Sequence, residues 1–595
     1  MNFYENNIKV LRDKHKIDIK KEVQGIGETN DGVAFIEKDK KIYFDYEDKR
    51  IDEYVKNIEE EKKVYILIGF GIGICAKKIL NCIGNSKLII FENNQDILNF
   101  ALRREDVSYI LKDERVTIEF CNNKNVDFVL ENNVRSMFFS DKVNVVICPG
   151  YNEIDVDFVK TCVENIKKAF NNAVVNKNTL AIISENILEC VFENMPYIIK
   201  SNSIRNLKNI FKDKPAVIVS SGPSLSKNIH YLKEYNDKVV IITGSRNLDY
   251  MASEGIIPHI VCTVDSLDIV YDFTKNSFDK ELYFVSTEHA NAKTVKKLEG
   301  RNIFATVLFN DFINKITKNK YDKFPGISSV AHLCSLIAVY SGCENIMFIG
   351  QDLAFTDNKL HDDFSGARYE HNKIDNRSDL FYVKGNYEEK VLTNMSFQNF
   401  KEWLEKYIAE NKHINFVNCT EGGAEIKGTK VARFKEMLEK FCEDKIMAEI
   451  ALKKAYNTTE KFDKYRIVHE IMKIEEEIMF IKAQYINGVE LCKEIYAYNN
   501  GNIKIDIKKV VSEFSKIDEA AEGKIYINSL INILALVPLK KIINNKEFVE
   551  SLNDTPKIKG IKYALRNKAV CELYIQCMDK ILSLIKKCIE EVEEL

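Results

Sequence analysis

The pattern of apolar and polar positions predicts two successive α/β regions. In the first region, Val64–Ile68 is an apolar run of strand length, followed by a glycine-containing turn, a segment with helical spacing and a second run at Lys87–Glu92. This order is one β-α-β unit, and the runs at Val116–Phe120 and Val143–Cys148 continue the alternation. The pattern therefore predicts a parallel sheet of Rossmann-like type covered by helices.

A second α/β region begins at the apolar run Pro215–Val219, which Ser220-Ser-Gly-Pro-Ser-Leu225 follows directly. Further runs of strand length alternate with helical segments at Val239–Thr243, Ile260–Val264, Leu282–Val285, Ile303–Leu308, Ile346–Ile349 and Ile414–Val417. The alternation predicts a second parallel sheet.

Helical spacing dominates the rest of the chain, as in Ile471–Lys482, which predicts an all-α helical bundle. The expected fold class is thus α/β with a helical carboxyl-terminal region. The predicted divisions are 1–200 (a β-rich start, the Rossmann-like region and bridging helices), 201–430 (the central region) and 431–595 (the bundle).

Composition excludes several classes of protein. The 595 residues include 86 Lys and Arg against 89 Asp and Glu, so the chain lacks the overall basic charge that would indicate a nucleic acid or anionic lipid partner. No apolar run approaches the ~20 residues of a membrane span, and the first residues lack the pattern of an export signal. We therefore expect a cytoplasmic protein without a membrane span, whose 15 cysteines are reduced thiols.

The first candidate site is the turn containing Gly69, Gly71 and Gly73, with Glu92 at the end of the next strand. Glycines at the start of a helix allow close approach of a phosphate, and a carboxylate in that place accepts hydrogen bonds from ribose. A tight turn that merely needs small residues gives the same pattern. The sequence leaves open whether this turn binds a ligand.

The second candidate is the turn Ser220–Leu225, directly after a buried strand. Polar residues also follow later strands, among them Asn247, Asp265, Glu288 and Gln351. Because parallel strands end at the same edge of a sheet, these side chains are expected to converge there. Each also has a structural interpretation, since Asp265 is suited to capping a helix and Asn247 to stabilising a turn.

Several motifs taken together resemble a known family. They are Ser-Gly-Pro-Ser-Leu at 221–225, Thr-Val-Asp at 263–265, Gly-Ile-Ser-Ser-Val-Ala at 326–331, Gly-Gln-Asp-Leu-Ala-Phe-Thr-Asp at 350–357 with His361, and Asn-Cys-Thr-Glu-Gly-Gly-Ala-Glu-Ile at 418–426. This set is similar to that of the motility associated factors, bacterial flagellin glycosyltransferases whose central domain resembles bacterial sialyltransferases.

The resemblance implies transfer of a nonulosonic acid (pseudaminic, legionaminic or a related sugar) from its CMP-activated donor to Ser or Thr of flagellin, a step needed for flagellum assembly and motility. It implies no cofactor beyond the donor, and flagellin as the protein partner. The oligomeric state is left open.

The resemblance also implies roles for individual residues. His361 is the preferred catalytic base because an imidazole has a pKa of about 6.5, with Asp352 as its orienter or rival. The expected sugar or acceptor contacts are Glu288, Ser329, Gln351 and Thr356. The expected nucleotide contacts are Ser220, Ser221, Gly222, Pro223, Ser224, Asn247 and Asp265.

No metal is expected at the reaction centre, because a CMP-sugar carries only one phosphate to neutralise. The Asp155-Val-Asp157 motif precedes a helix and is predicted to cap it. Two other functions remain open: a pyrophosphokinase acting on a hydroxymethylpterin, which the central region also resembles, and a flagellin-binding factor without catalytic activity.

Overall fold

The computed structural model describes residues 3–19, 24–37, 40–46, 52, 64–84, 86–121, 143–278, 281–318, 320–364, 380–457, 462–545, 547–551 and 554–595. The chain forms two compact units. One comprises Met1–Asn178, Tyr485–Ser515 and Leu536–Leu573, and the other comprises Thr179–Gln484, Lys516–Ala535 and Tyr574–Leu595. The divisions predicted at residues 200 and 430 rest on sequence pattern. The two compact units do not test these divisions, which stay predictions.

The amino-terminal unit contains a small antiparallel sheet and a four-stranded parallel sheet with the order β6-β5-β4-β7. All five residues of β4 are buried, as expected for a parallel strand covered on both faces. The elements are α1 (Phe3–His15), β1 (Ile26–Glu28), β2 (Ala34–Glu37), β3 (Lys41–Tyr43), β4 (Val64–Ile68), α2 (Ile74–Cys82), β5 (Lys87–Glu92), α3 (Gln95–Arg104), α4 (Ser108–Lys112), β6 (Val116–Phe120), β7 (Val143–Ile147) and α5 (Tyr151–Ile154), followed by the long helix α6 (Val156–Lys200).

The central sheet has eight parallel strands in the order β12-β11-β10-β9-β8-β13-β16-β17, beside a separate antiparallel hairpin. The strands are β8 (Pro215–Val219), β9 (Val240–Gly244), β10 (Ile260–Thr263), β11 (Tyr283–Thr287), β12 (Asn302–Ala305), β13 (Asn345–Ile349), β16 (Asn415–Asn418) and β17 (Lys430–Val431), and the hairpin is β14 (Leu380–Val383) with β15 (Val391–Asn394).

Helices alternate with these strands, and the longest apolar one packs against β8, β9 and β10. They are α7 (Leu248–Ser253), α8 (Ile269–Thr274), α9 (Ala292–Lys297), α10 (Asn310–Thr317), α11 (Val330–Tyr340), α12 (Met395–Glu410) and α13 (Phe434–Phe441). Of these, α11 is the one beneath β8 to β10, and seven of its eleven residues are buried. The apolar composition of α11 follows from this central position.

The carboxyl-terminal region is helical, which confirms the predicted α/β fold class with a helical end. Its elements are α14 (Ala448–Asn457), α15 (Lys464–Asn499), α16 (Ile507–Ala521), α17 (Ile525–Ile543) and α18 (Pro556–Glu593). The expectation that no apolar run approaches the length of a membrane span was wrong, because one described helix, α17, has 19 residues and a mean hydropathy of 1.4 and is long and apolar enough by length and composition. Its fully buried positions Ile527, Leu530, Ile531 and Ala535 lie on one face, as in a packed helix, and the expectation of no membrane span stays a prediction.

Candidate functional site

The switch point of the central sheet lies between β8 and β13. The chain adds β9 to β12 on one side of β8 and then returns to place β13, β16 and β17 on the other side. The loops that follow the two strands on either side of a switch point run in opposite directions and leave a crevice between them. Ligands of open α/β sheets bind in this crevice, at the carboxyl ends of the strands. We call this edge of the central sheet the rim.

Two glycines bring the loops after β8 and β13 into backbone contact. Gly222 donates its N–H to Gly350 O at 2.8 Å, and Ser220 donates to Ile349 O at 2.9 Å. A Cβ at Gly222 would lie 2.2 Å from an oxygen of Asp352, and a Cβ at Gly350, which has φ +62°, would lie 2.2 Å from Ser220 O. Only glycine allows this approach, so the Gly-Pro-Ser and Gly-Gln-Asp motifs act as a pair.

Asp352 braces these loops from below. Its carboxylate accepts hydrogen bonds from Ser224 Oγ at 2.8 Å, Ser224 N at 3.3 Å and Thr356 Oγ1 at 2.6 Å. The side chain is 1% exposed, and burial raises its pKa while the bonds from Thr356 and Ser224 oppose that rise. A carboxylate with so little surface does not reach an acceptor hydroxyl, so this placement supports a bracing role for Asp352 instead of a role as base.

His361 lies at the rim beside Ser221. The Ser221 Oγ and the His361 Nδ1 are 3.4 Å apart, and both residues are half-buried. The next residue, Asp362, donates its N–H to Ser221 O at 3.1 Å and accepts from Ser226 N at 3.0 Å. Phe364 stacks on Tyr250 with 5.1 Å between ring centroids, which secures the other side of the segment.

Asp362 is therefore a positioning residue that the sequence did not identify. The carboxylate is only 2% exposed and binds backbone N–H groups on both sides of His361, from Ser226 and from Phe364. The two aspartates after His361 were visible in the sequence, but their partners were not. Asp362 fixes the backbone of the His361 segment against the β8 loop.

The other predicted contacts of this loop pair are mostly buried. Ser220 Oγ donates to Gln351 Oε1, and Gln351 N donates to Thr420 Oγ1 at 3.1 Å. Pro223 and Ser224 are buried. Among the predicted nucleotide contacts in this loop, Ser220, Ser221 and Gly222 keep exposed surface, whereas Pro223 and Ser224 are buried beneath them. Gln351 and Thr356, which were predicted to contact the sugar or the acceptor, are also buried and support the loop from within.

The residues after β9 and β10 differ in exposure. Asn247 is 2% exposed and donates to Val219 O and to Thr243 Oγ1, each at 3.0 Å, so it ties the ends of β8 and β9 together. Asp265 is exposed to water, and neighbouring protein atoms raise its pKa by desolvation while His289 and Arg246 oppose that effect. Asp265 is thus the accessible carboxylate of this part of the rim.

Glu288 has no exposed surface. Its carboxylate accepts the backbone N–H groups of Val307 at 3.0 Å, Leu308 at 2.6 Å and Phe309 at 2.7 Å. Burial alone would raise its pKa, but the charge interaction with His289, whose Nδ1 lies 3.7 Å from Glu288 Oε2, and the hydrogen bonds from the backbone of Phe309 and Val307 bring the pKa below its usual value. Its oxygens are occupied, so the geometry assigns Glu288 to holding the loop after β12 and gives no support to direct sugar contact.

The start of α11 also reaches the rim. Ser329 caps this helix by accepting a hydrogen bond from His332 N at 3.3 Å. A Cβ at Gly244, the last residue of β9, would lie 2.8 Å from Val330 Cγ1, so the helix begins against that strand end. A helix N-terminus carries partial positive charge, which favours an anion at this position.

The Gly69–Gly73 turn stands at the equivalent switch point of the amino-terminal sheet, between β4 and β7. Asp45 fills it: its carboxylate accepts from Ile72 N at 2.8 Å, Ile74 N at 2.9 Å and Cys75 N at 3.0 Å. This is the place at a helix N-terminus where a bound phosphate would sit. Asp45 is 0% exposed, so the chain's own carboxylate takes that position.

Glu92 and Tyr151 occupy the rest of the same turn. Glu92 accepts from Phe70 N at 2.9 Å and from the Tyr151 hydroxyl, and Tyr151 Oη accepts from Gly71 N at 3.1 Å. Both side chains are 0% exposed. Of the two interpretations left open by the sequence, the structural turn is the one this geometry supports, because Glu92 has no free oxygen for ribose.

Among the described residues, one group brings metal-ligand atoms together, namely Asp45, Cys75 and Cys148 within 4.8 Å of one another. The oxygens of Asp45 already accept three backbone N–H groups, which makes it a poor ligand. Asp155 Oδ1 accepts from Phe158 N at 2.9 Å, so the predicted capping role of the Asp155-x-Asp157 motif is confirmed. The cysteines are free thiols, as expected.

A cavity of about 400 Å³ lies among the carboxyl-terminal helices, lined by Glu476, Glu477, Phe480, Glu519, Ala520, Glu522 and Lys524. Four carboxylates against one ammonium make it unfavourable for an anionic sugar nucleotide. The rim is the better candidate for such a ligand.

The fold and the rim together define a doubly wound α/β protein whose candidate ligand-binding edge lies at the switch point of the central sheet. Comparison of structures makes this more specific: a MAf glycosyltransferase from Magnetospirillum magneticum AMB-1 matches with a TM-score of 0.64 over 100% of this chain and 98% of that chain, at 12% sequence identity. The chain therefore shares the fold of that protein, and the resemblance to the motility associated factors is confirmed at the level of the fold.

A family model described as "6-hydroxymethylpterin diphosphokinase MptE-like" matches residues 189–358, which include β8 to β13. No curated protein matches the chain in sequence. The matched segment is the part of the central sheet that contains the switch point.

Proposed function

We propose that the protein is a glycosyltransferase that moves a nonulosonic acid from its CMP-activated donor to Ser or Thr hydroxyls of flagellin. The observation that carries the proposal is the accessible pair of Ser221 and His361, 3.4 Å apart at the switch point of a glycosyltransferase fold. The donor and the acceptor come from the motif resemblance, and the rim supports them by its chemistry.

The donor carries two anionic groups, the phosphate and the sugar carboxylate, and the rim offers two places for them. One is the Ser221 hydroxyl on the β8 loop, and the other is the start of α11 at Ser328 and Ser329. Hydroxyl donors and a helix N-terminus favour anions without a metal ion. With both anions held, the anomeric carbon lies between the β8 loop and α11.

The transfer breaks the bond between the anomeric carbon and a phosphate oxygen and forms one between that carbon and the acceptor oxygen. CMP leaves with the bonding electron pair and needs little protonation. The anomeric carbon becomes oxocarbenium-like, and the acceptor hydroxyl gives its proton to the His361 imidazole. Asp362 and Ser221 hold that imidazole at the rim, and Asp352 braces the loop beneath it.

The test is to incubate the full chain with flagellin and a CMP-nonulosonate and to weigh the flagellin by mass spectrometry. We expect added mass equal to whole nonulosonic acid residues. His361→Ala is expected to slow transfer by a factor of about 100 or more, which is the usual contribution of a general base. His413→Ala, which removes an exposed histidine, is the matched control and is expected to act like the unchanged chain.

Unchanged flagellin mass with a verified donor would contradict the proposal. The match of residues 189–358 favours one alternative, a pyrophosphokinase, which would convert a hydroxymethylpterin with ATP and magnesium. Flagellin capture without either reaction would instead indicate a binding factor. Equal transfer by His361→Ala and the unchanged chain would remove His361 as the base.

A further inference from the structure

The loop Gly326–Ser329, which leads into α11 at the rim, is held by two aromatic side chains. His332 Nδ1 accepts a hydrogen bond from Ser328 N at 3.3 Å. Trp403 Nε1 donates to Gly326 O at 2.8 Å. Both ends of this short loop are thereby fixed to side chains outside it.

His332 does this as a neutral imidazole. Its Nδ1 accepts from a backbone N–H, so the proton is on Nε2, which donates to Phe400 O at 3.0 Å. Burial lowers the pKa of His332 to about 4, although the bond to Phe400 opposes that shift. At neutral pH the imidazole therefore keeps the tautomer that the Ser328 bond requires.

Trp403 lies flat against the same imidazole. The rings of Trp403 and His332 stack with 4.0 Å between centroids and 15° between planes, and the Tyr407 ring also stacks on Trp403 with 5.2 Å between centroids. Trp403 is the single tryptophan of the chain. The surroundings of the indole therefore depend on the position of His332 and, through the hydrogen bond to Gly326 O, on the position of the loop.

A row of aromatic rings continues from His332 to the loop after β13. Phe400 meets His332 edge to face at 5.7 Å, Phe397 lies 6.5 Å from Phe400, and Phe355 lies 5.2 Å from Phe397. Phe355 belongs to the loop that contains Asp352 and Thr356. Helix α12 carries Phe397, Phe400 and Trp403, so one element supports loops on two sides of the rim.

We propose that His332 and Trp403 are positioning residues that hold the Gly326–Ser329 loop in its anion-binding conformation, and that Trp403 reports occupation of the rim. The inference rests on the proposed function, because it takes the donor to bind at Ser328 and Ser329. Binding of the donor restricts the conformation of the Gly326–Ser329 loop. This change alters the surroundings of the Trp403 indole through its hydrogen bond to Gly326 O.

Intrinsic fluorescence excited at the long-wavelength edge of indole absorption, where the 27 tyrosines absorb little, tests the reporter role, because Trp403 is then the source of the signal. A CMP-nonulosonate, which carries both the phosphate and the sugar carboxylate, is titrated into the full chain while emission is followed, and its binding is measured separately by calorimetry. We expect a saturable emission change with a midpoint equal to the calorimetric Kd, and no change with AMP. Binding without an emission change overturns this inference alone. No binding in the calorimeter overturns the proposed nucleotide site together with this inference.

Two pairs of variants test the positioning role. Trp403→Phe keeps an aromatic ring but removes the N–H, and we expect the Kd of the CMP-nonulosonate to rise about tenfold. Tyr407→Phe, the control on the same helix, keeps its ring stacked on Trp403 and is expected to leave the Kd within about twofold. Far-UV circular dichroism checks that both variants are folded. Equal Kd values in all three proteins would overturn the role of Trp403.

The second pair uses rescue by a conservative replacement. His332→Leu removes the acceptor of the Ser328 N–H, whereas the side-chain oxygen of His332→Asn stands near the position of Nδ1 and restores an acceptor. We expect the Kd of the CMP-nonulosonate to increase from the unchanged chain to Asn and further to Leu. A purely packing role predicts the reverse order for the two variants, because Leu fills an apolar space better than Asn, and that order would overturn the inference.

Discussion

The Gly69–Gly73 turn and the Ser220–Leu225 turn occupy equivalent places, each directly after the strand beside the switch point of a parallel sheet. In the amino-terminal turn, every residue from Gly69 to Gly73 is buried, and Asp45, Glu92 and Tyr151 take its N–H groups. In the central turn, Ser220, Ser221 and Gly222 keep part of their surface.

The glycines of the two turns make room for different neighbours. A Cβ at Gly69 would lie 2.4 Å from the Tyr151 ring, and a Cβ at Gly71 would lie 2.4 Å from the Cβ of Asp45. At Gly222 the neighbours are Asp352 and the backbone of Gly350. The same residue type thus closes one turn over the chain's own side chains and, in the other, joins two loops that border the rim. A glycine pattern alone does not separate the two cases.

The largest expected effect comes from removing the carboxylate that fills the amino-terminal turn. Asp45→Ala leaves the buried N–H groups of Ile72, Ile74 and Cys75 without an acceptor, and each such loss costs about 1–3 kcal/mol. We expect the unit to lose about 3 kcal/mol or more of unfolding free energy. The rate of hydrogen exchange at these three amides measures this loss of stability.

Asp45→Asn is the control for that change. It keeps one oxygen in place and is expected to lose less protection than Asp45→Ala. CMP affinity is expected to stay the same in both variants, because the rim belongs to the other sheet. Full protection of the three amides in Asp45→Ala would refute the assigned role of the carboxylate.

A matched pair of glycine substitutions separates the two turns. Gly222→Ala forces the β8 and β13 loops apart, and we expect the CMP Kd to rise about tenfold or more. Gly71→Ala, at φ +59°, meets Asp45 and is expected to lower stability by about 2 kcal/mol while the Kd is unchanged. Calorimetry and thermal unfolding measure the two effects. A change in CMP affinity from Gly71→Ala would mean that the amino-terminal turn contributes to the ligand site.

Much of the fold was accessible from the sequence. The buried parallel strands are continuous apolar runs, so β8 and β13 were predicted to within a residue of their observed bounds. The hairpin β14–β15 escaped prediction because each strand has only four residues, and β15 ends in the buried polar residues Thr393 and Asn394, which interrupt the apolar pattern. Strand β17 has two residues and leaves no periodic signal.

The candidate site was less accessible, because its decisive contacts join distant residues. Ser224 was predicted to face a phosphate, but its hydroxyl meets Asp352, 128 residues later. Asp45 lies 27 residues before the N–H that it binds at Ile72, and nothing in the local sequence marks it. Strand ends predict which residues reach an edge. They do not predict which of those residues the chain then covers with its own side chains.

The smallest expected effect concerns metal ions, and it tests both regions at once. A CMP-sugar has one phosphate, and the rim offers hydroxyls and a helix N-terminus for it, so we propose that transfer needs no cation. In the amino-terminal unit, Asp45, Cys75 and Cys148 bring ligand atoms together, but the carboxylate is committed to backbone N–H groups. Excess chelator is therefore expected to change neither transfer rate nor melting temperature.

A fall in melting temperature alone would place a metal at the Asp45 group, because the loss of that metal would release the start of α2. A fall in transfer rate alone would place a cation at the rim, and the assignment of the donor anion to protein donors alone would then be wrong.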